Sequence, residues 1–159
     1  MPMTKEDAWD ELIIRLRAIA GIQKVYEGKV ALESVPHPTY PCIVVEPEYS
    51  EPDEDFHDSE AASYGNEIFA INLWMLFKIY EKGKAVTGSG GIAGALDWEK
   101  VVKEAICDVT GGETAHLDEL AVRVFFGRTD YLRFASEQPG QLQLRVVQLT
   151  VYIRQIICT

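Results

Sequence analysis

A run of glycines in the middle of the chain has the residue types that can cradle phosphate groups. Residues 87–94 read TGSGGIAG, which matches the pattern T-G-x-x-G-x-x-G, and a helical sequence follows them. Such loops bind a pyrophosphate because glycines let backbone N–H groups approach it at the N-terminus of the next helix. Dinucleotide binding is therefore one hypothesis for this chain.

The surroundings of the glycine run disagree with that hypothesis. The sequence YEKGKAVT places three charged residues and a further glycine between the preceding apolar segment and Gly88. The acidic residue expected about twenty positions later falls near Asp108, inside a predicted helix, and G-K-[ST] does not follow the glycines. We interpret residues 83–94 as a flexible, glycine-rich surface loop. A small nucleotide- or ligand-binding protein that uses this loop remains the alternative.

The other residues with chemical potential are scattered along the chain. His37, His57 and His116 fall in predicted loops, and none shares a helix face with another, so a zinc site has no support. Residues 50–66 are rich in acids but lack the spacing of an EF-hand, which predicts a flexible acidic loop or the tip of a long hairpin. Nucleophile motifs such as G-x-S-x-G do not occur. We predict a non-enzymatic protein without catalytic residues, cofactor or metal.

Composition and net charge further narrow the class of protein to which this chain can belong. The 159 residues fit a single domain, and the formal net charge of -10 argues against binding a nucleic-acid backbone. The N-terminal residues do not resemble a signal peptide, and no apolar run is long enough to span a membrane. Cys42, Cys107 and Cys158 lie far apart in apolar contexts, which predicts buried thiols. We expect a protein that stays in the cytoplasm where it is made.

Helical and strand signals alternate along the chain. Thr4 and Asp7 resemble a capping box ahead of an amphipathic helix at about 4–20, with Gly21 as its C′ residue. Asp97 is the predicted N-cap of a second helix that ends at Gly111-Gly112. The predicted strands cover 25–26, 30–32, 42–49, 67–80, 120–126 and 142–157. The order predicts an α+β fold with a mixed, mostly antiparallel sheet.

The segment EIFAINLWMLFKIY gives the strongest strand signal, and it is apolar on both faces. A sheet covered by helices on one side only should alternate apolar and polar residues, so a second cover is expected. Trp74 and Leu76 are therefore predicted contact residues. The last strand changes the phase of its apolar residues near Val146, which predicts a bulge or a different cover for each half.

Arginines of the C-terminal half are the other candidates for a contact. Arg123 and Arg145, together with Arg128 and Arg133, could meet the acidic loop of a neighbouring subunit, whose centre is Phe56. We predict Phe56, Arg123 and Arg145 as subunit or partner contacts. Ordinary exposed arginines on strands are the alternative.

The sequence of elements resembles a known family. TKEDAWDELIIRLRAI, a short hairpin region, TYPCIVVEPE, NEIFAINLWMLFKIY, LDWEKVVKEAI and a final β-hairpin resemble the tail terminator, or minor tail completion, proteins of long-tailed bacteriophages and prophages. The resemblance covers most of residues 4–155 and rests on element order.

The resemblance implies an α+β subunit with two helices packed on one face of a mixed sheet. It implies a homo-oligomer, a hexameric ring that caps the tail tube and contacts head-completion proteins. It also implies assembly in the host bacterial cytoplasm and a final place in the virion tail. An unrelated protein-binding adaptor is a further alternative.

Overall fold

The computed structural model describes residues 4–28, 39–52, 64–79, 86–88, 93–107, 123–134 and 143–158. Two helices and five strands lie in these ranges, in the chain order α1 (Lys5–Arg17), β1 (Lys24–Glu27), β2 (Cys42–Pro52), β3 (Tyr64–Ile79), α2 (Ala95–Ile106), β4 (Arg123–Phe134) and β5 (Gln143–Cys158). The strands form one sheet in the order β1-β2-β3-β5-β4. Only the β1–β2 pair is parallel, which confirms the predicted mixed, mostly antiparallel α+β fold.

Helix α1 begins as the sequence predicts and ends earlier. The side chain of Thr4 accepts a hydrogen bond from the Asp7 backbone N–H at 3.1 Å, and the Asp7 carboxylate accepts one from the Thr4 N–H at 3.0 Å. The C-cap is Ala18, so the prediction of Gly21 as the C′ residue is wrong. Short turns follow the helix, and Gly21, with φ of 90°, serves the turn that leads to β1.

The N-cap of helix α2 lies three residues before its predicted position. Gly94 is the N-cap, and Asp97 is the third helical residue, whose carboxylate accepts a hydrogen bond from the Gly94 N–H at 2.9 Å. A Cβ atom at Gly94 would lie 2.4 Å from the backbone nitrogen of Gly88. The close approach of two backbone segments therefore selects glycine at the cap. The helix ends at Ile106, and the predicted stop at Gly111-Gly112 lies outside the described residues.

Both helices pack on the same face of the sheet. The odd-numbered residues of β3 between 69 and 79 are buried in one cluster with α1, α2 and the odd-numbered residues of β5 between 147 and 153. From α1 this cluster includes Leu12 and Leu16, and from α2 it includes Val102 and Ile106, all with essentially no exposed surface. The predicted arrangement of two helices on one face is therefore confirmed.

The acidic segment joins the two strands of a long hairpin. Strand β2 continues to Pro52 and β3 starts at Tyr64, so both ends of the predicted 50–66 loop belong to strands instead. Residues 53–63, including Phe56, lie outside the described residues. The register of β2 against β3 shifts between Pro47 and Tyr49. A proline at this bulge is expected, because proline has no backbone N–H to donate a hydrogen bond to the neighbouring strand.

Strand β4 is longer than predicted and holds a bulge that the sequence suggested for β5. It runs to Phe134, across residues predicted as a connection, and its register against β5 shifts between Phe126 and Thr129. Strand β5 pairs with β3 without interruption. Its apolar residues change phase because Leu144 and Val146 join a cluster on one face, whereas Val147 and its odd-numbered successors join the core on the other.

Replacement of Thr4 by alanine tests whether the capping box holds α1 in place. We expect Thr4→Ala to lower the free energy of unfolding by about 1 kcal/mol, because a backbone donor of the first turn loses its acceptor. Thr87→Ala is the control, since Thr87 is exposed and lies outside the helices and strands. Urea denaturation of the three proteins measures the difference. Equal stability of Thr4→Ala and the wild type would contradict this role.

Candidate functional site

The candidate site is the side of the sheet opposite the two helices, which we call the open face. Even-numbered residues of β3 and β5 point to it, and no helix of the described part of the chain lies over it. Its centre is polar: the Thr150 hydroxyl donates a hydrogen bond to the Asn72 side-chain oxygen at 3.1 Å. Apolar side chains lie on both sides of this polar centre and form two separate patches.

The first patch contains the two predicted contact residues of β3. Leu76 is buried, with 7% of its surface exposed, among Tyr26, Cys42, Val44 and Val146. Trp74 is half-buried at the border of this cluster. The expectation that no part of the chain covers Leu76 is therefore wrong, because side chains of β1, β2 and β5 on the same face pack around it. A subunit contact at Trp74 or Leu76 stays a prediction.

The second patch is a line of aromatic side chains across four strands, which we call the aromatic row. It consists of Tyr49 on β2, Tyr152 on β5 and Phe125 on β4, with the small Ala70 of β3 between the two tyrosines. The rings of Phe125 and Tyr152 are stacked, with centroids 5.1 Å apart. Tyr49 remains 41% exposed. Partial burial raises the pKa of its hydroxyl, and the nearby Tyr152, to which it is hydrogen-bonded, raises that pKa further.

The bulge in β4 provides the space for the aromatic row. Gly127 lies at the register shift, and a Cβ atom there would come within 2.8 Å of the Tyr152 ring. Tyr49, Phe125 and Tyr152 lie within predicted strands but were not predicted as site residues, because only the pairing register brings them together. The alternation of the sequence TVYIR on β5 was the available signal for Tyr152.

The predicted arginines lie at opposite ends of the β4–β5 pair. Arg123 is in register with Arg154, whereas Arg133 is in register with Arg145. The strand alternation places Arg145 on the helix face. In the backbone, Arg123 lies two residues before Phe125 of the aromatic row, at the other end of the β4–β5 pair from Arg145. Phe56, the remaining predicted contact, lies outside the described residues.

The geometry at the start of α2 disfavours a phosphate site. The Leu96 N–H donates to the carbonyl of Val86 at 3.0 Å, and the Gly94 N–H is held by the Asp97 carboxylate. Backbone N–H groups that bind phosphate must be available to it, and a carboxylate at the same helix end repels an anion. The contact with residue 86 also shows that part of the glycine-rich loop packs against the helix.

The thiol of Cys42 on β2 is buried. Burial raises the pKa of the Cys42 thiol to about 11, so it stays protonated at neutral pH and is a poor nucleophile. A search of the described ranges finds no group of three His, Cys, Asp or Glu side chains that could hold a metal ion. All three histidines lie outside these ranges. The helices described here are too short and polar to cross a membrane.

A pocket of about 240 Å³ lies away from the open face, between the end of α1 and β1. Arg17, Ile22, Gln23, Lys24 and Val25 line it. The Arg17 guanidinium is engaged with the Glu27 carboxylate at 3.4 Å, and Trp9 donates to the same carboxylate at 2.7 Å. This cluster connects α1 to β1 and has a structural role.

The fold defines a class of small α+β domains in which two helices cover one face of a five-stranded mixed sheet. No family model matches the chain, and no curated protein matches it. Among solved structures, a chain of the virion of a native gene transfer agent particle matches with a TM-score of 0.50 and 13% sequence identity. The match covers 91% of each chain. At this identity the similarity shows a shared fold.

A double-mutant cycle tests the dependence of the aromatic row on Gly127. We expect Gly127→Ala to lower the free energy of unfolding by about 1–3 kcal/mol, because the added methyl group overlaps the Tyr152 ring. In a Tyr152→Ala background the same change should be close to neutral. Chemical denaturation of all four proteins gives the coupling. An equal cost of Gly127→Ala in both backgrounds would show that the glycine is required for another reason.

Proposed function

We propose that this chain is a non-enzymatic structural protein of a bacteriophage or prophage virion. The shared fold with a chain of a gene transfer agent virion supports this proposal over 91% of the length. The element order that resembles tail terminator proteins gives independent support from the sequence.

Within that class, we propose the role of a tail terminator. The subunit would form a hexameric ring that caps the tail tube and presents a surface to head-completion proteins. It would assemble in the host bacterial cytoplasm and remain in the virion tail.

The observation that carries the proposal is the open face. A sheet with apolar residues on both faces needs two covers, and the helices supply one of them. The aromatic row keeps a large exposed tyrosine on a face that no described helix covers. Aromatic side chains are enriched at protein interfaces, and a closed ring provides the same cover to every subunit.

The proposal predicts a concentration-dependent mass in solution. Light scattering after size exclusion should show a rise from the 17.8 kDa monomer toward about six subunits, and negative-stain images should show rings. The measurement is repeated in 1 M salt, because a contact with charged groups weakens when they are screened. A strict monomer at all concentrations, also in the presence of purified tail tubes, would contradict the assembly role.

A further inference from the structure

The charged residues of the sheet are divided between its two sides. Of the described helices and strands, only β4 and β5 carry more basic than acidic residues. Strand β2 has the opposite balance, with three glutamates and no basic residue. Because β4 is the edge strand beside β5, and β2 lies toward the other edge, one side of the sheet is basic and the other is acidic.

The acidic side is the part of β2 at residues 46–52, which we call the acidic edge. Strand β1 pairs with β2 only as far as Val45, so the described chain places no strand beside this part. Three of its glutamates have no ion-pair partner within the described ranges: Glu46, Glu48 and Glu51. After burial and the contact with Tyr152, the charges of Glu51 and Glu48 further raise the pKa of the Tyr49 hydroxyl. The carboxylates and Tyr49 therefore share one negatively charged surface.

The basic side is strand β4, which we call the basic edge. Its sequence carries three arginines and one acid: Arg123, Arg128, Arg133 and Asp130. Arg128 has 84% of its side chain exposed, and its Nε and Nη2 atoms both contact one oxygen of Asp130 at 2.8 Å. Its Nη1 has no partner in the described part of the chain, so the other side of the guanidinium can bind a second carboxylate. Asp130 orients Arg128 for that contact.

Both edges also present large apolar side chains to solvent. On the acidic edge Tyr49 is 41% exposed, and on the basic edge Tyr131 and Leu132 are 53% and 38% exposed. The hydroxyl of Tyr131 is held by the Glu99 carboxylate of α2, which fixes the position of its ring. Protein interfaces combine a few such anchors with charged groups around them. Each edge therefore has both components of an interface.

We propose that the acidic edge of one copy of the chain contacts the basic edge of the next copy. The inference rests on the proposed ring assembly, and it identifies the two surfaces that meet. The free side of the Arg128 guanidinium binds a glutamate of the neighbouring acidic edge. Side chains make the contact, because the prolines of the acidic edge and the bulges in both strands disfavour pairing of the main chains.

The geometry of the sheet and the charge of the chain select a second copy as the occupant. Strands β3 and β5 separate β2 from β4 by three strand spacings, or roughly 14 Å, so the two edges of one sheet cannot meet. A chain with a net charge of -10 repels its own copies. Their contact is therefore most stable where a basic strand of one copy meets the acidic strand of another.

A contact of this kind is head-to-tail. Each copy uses two different surfaces on opposite sides of the sheet, so the interface is heterologous and closes into a ring when the rotation permits. The two surfaces can therefore be inactivated separately, which a symmetric dimer contact does not allow.

The test reverses the charge of each edge in the full-length chain. The acidic-edge variant is Glu48→Arg combined with Glu51→Arg, and the basic-edge variant is Arg128→Glu. Sedimentation equilibrium measures self-association of each variant and of the wild type. We expect both variants to associate at least about tenfold more weakly, because like charges then face each other across the contact.

Two controls make the same changes in net charge on the helices. Asp10→Arg combined with Glu104→Arg matches the acidic-edge variant, and Lys100→Glu matches the basic-edge variant. All of these side chains are exposed, so we expect both controls to associate like the wild type. Thermal melting of every variant confirms that the fold is kept. Equal weakening in a control and its matched variant would overturn the inference, because net charge alone would then explain the result.

Mixing the two edge variants tests whether the edges bind each other. The mixture contains one intact basic edge and one intact acidic edge on different chains, and the two reversed edges are again opposite in charge. We expect assemblies of two or more subunits at concentrations at which each variant alone is monomeric. A mixture that stays monomeric while the wild type assembles would overturn the inference.

Failure of the inference differs from failure of the proposed ring. Edge variants that form rings as well as the wild type does would overturn the inference and leave the ring intact. Edge variants that form rings but no longer bind purified tail tubes would also overturn it, because the edges would then serve another protein. A wild type that stays monomeric at every concentration would contradict the ring and the inference together.

Discussion

The long strand β3, apolar on both of its faces, is the constraint on which the rest of the structure depends. Its odd-numbered residues are buried beneath α1 and α2, and this single layer contains most of the core. Burial of apolar surface stabilises a fold in proportion to its area, so the helix face contributes most of this stabilisation. The apolar residues on the other face add a small cluster at Leu76 and leave the aromatic row partly exposed.

The edges of the sheet indicate how the open face would meet a partner. Beyond Val45 the described part of the chain places no strand beside β2, and this edge carries Pro47, a bulge and several glutamates. The opposite edge, β4, has its own bulge at Gly127. Bulges, prolines and charges protect sheet edges from pairing with other strands. In the proposed assembly, recognition would therefore fall to side chains of the open face rather than to extension of the sheet.

The fold could be predicted from the sequence because its periodic signals agree with its elements. The Thr4–Asp7 capping box and the two-faced strand both have direct local causes. The N-cap of α2 at Gly94 and the length of β4 could not be predicted in this way, since both depend on tertiary contacts. The cap depends on the close approach of the backbone at Gly88, and the bulge within β4 depends on the Tyr152 ring beside Gly127. The aromatic row also joins residues of four strands, so only the register brings it together.

The most direct test of an assembly role for the open face is carbene footprinting at low and high protein concentration. If the open face takes part in assembly, labelling of Tyr49 and Tyr152 falls as concentration rises, whereas the exposed Ile14 on α1 and Val86 before α2 keep their labelling. Protection of Ile14 and Val86, with the tyrosines labelled equally at every concentration, would contradict it. The subunits would then meet through their helices, and the open face would have no part in assembly.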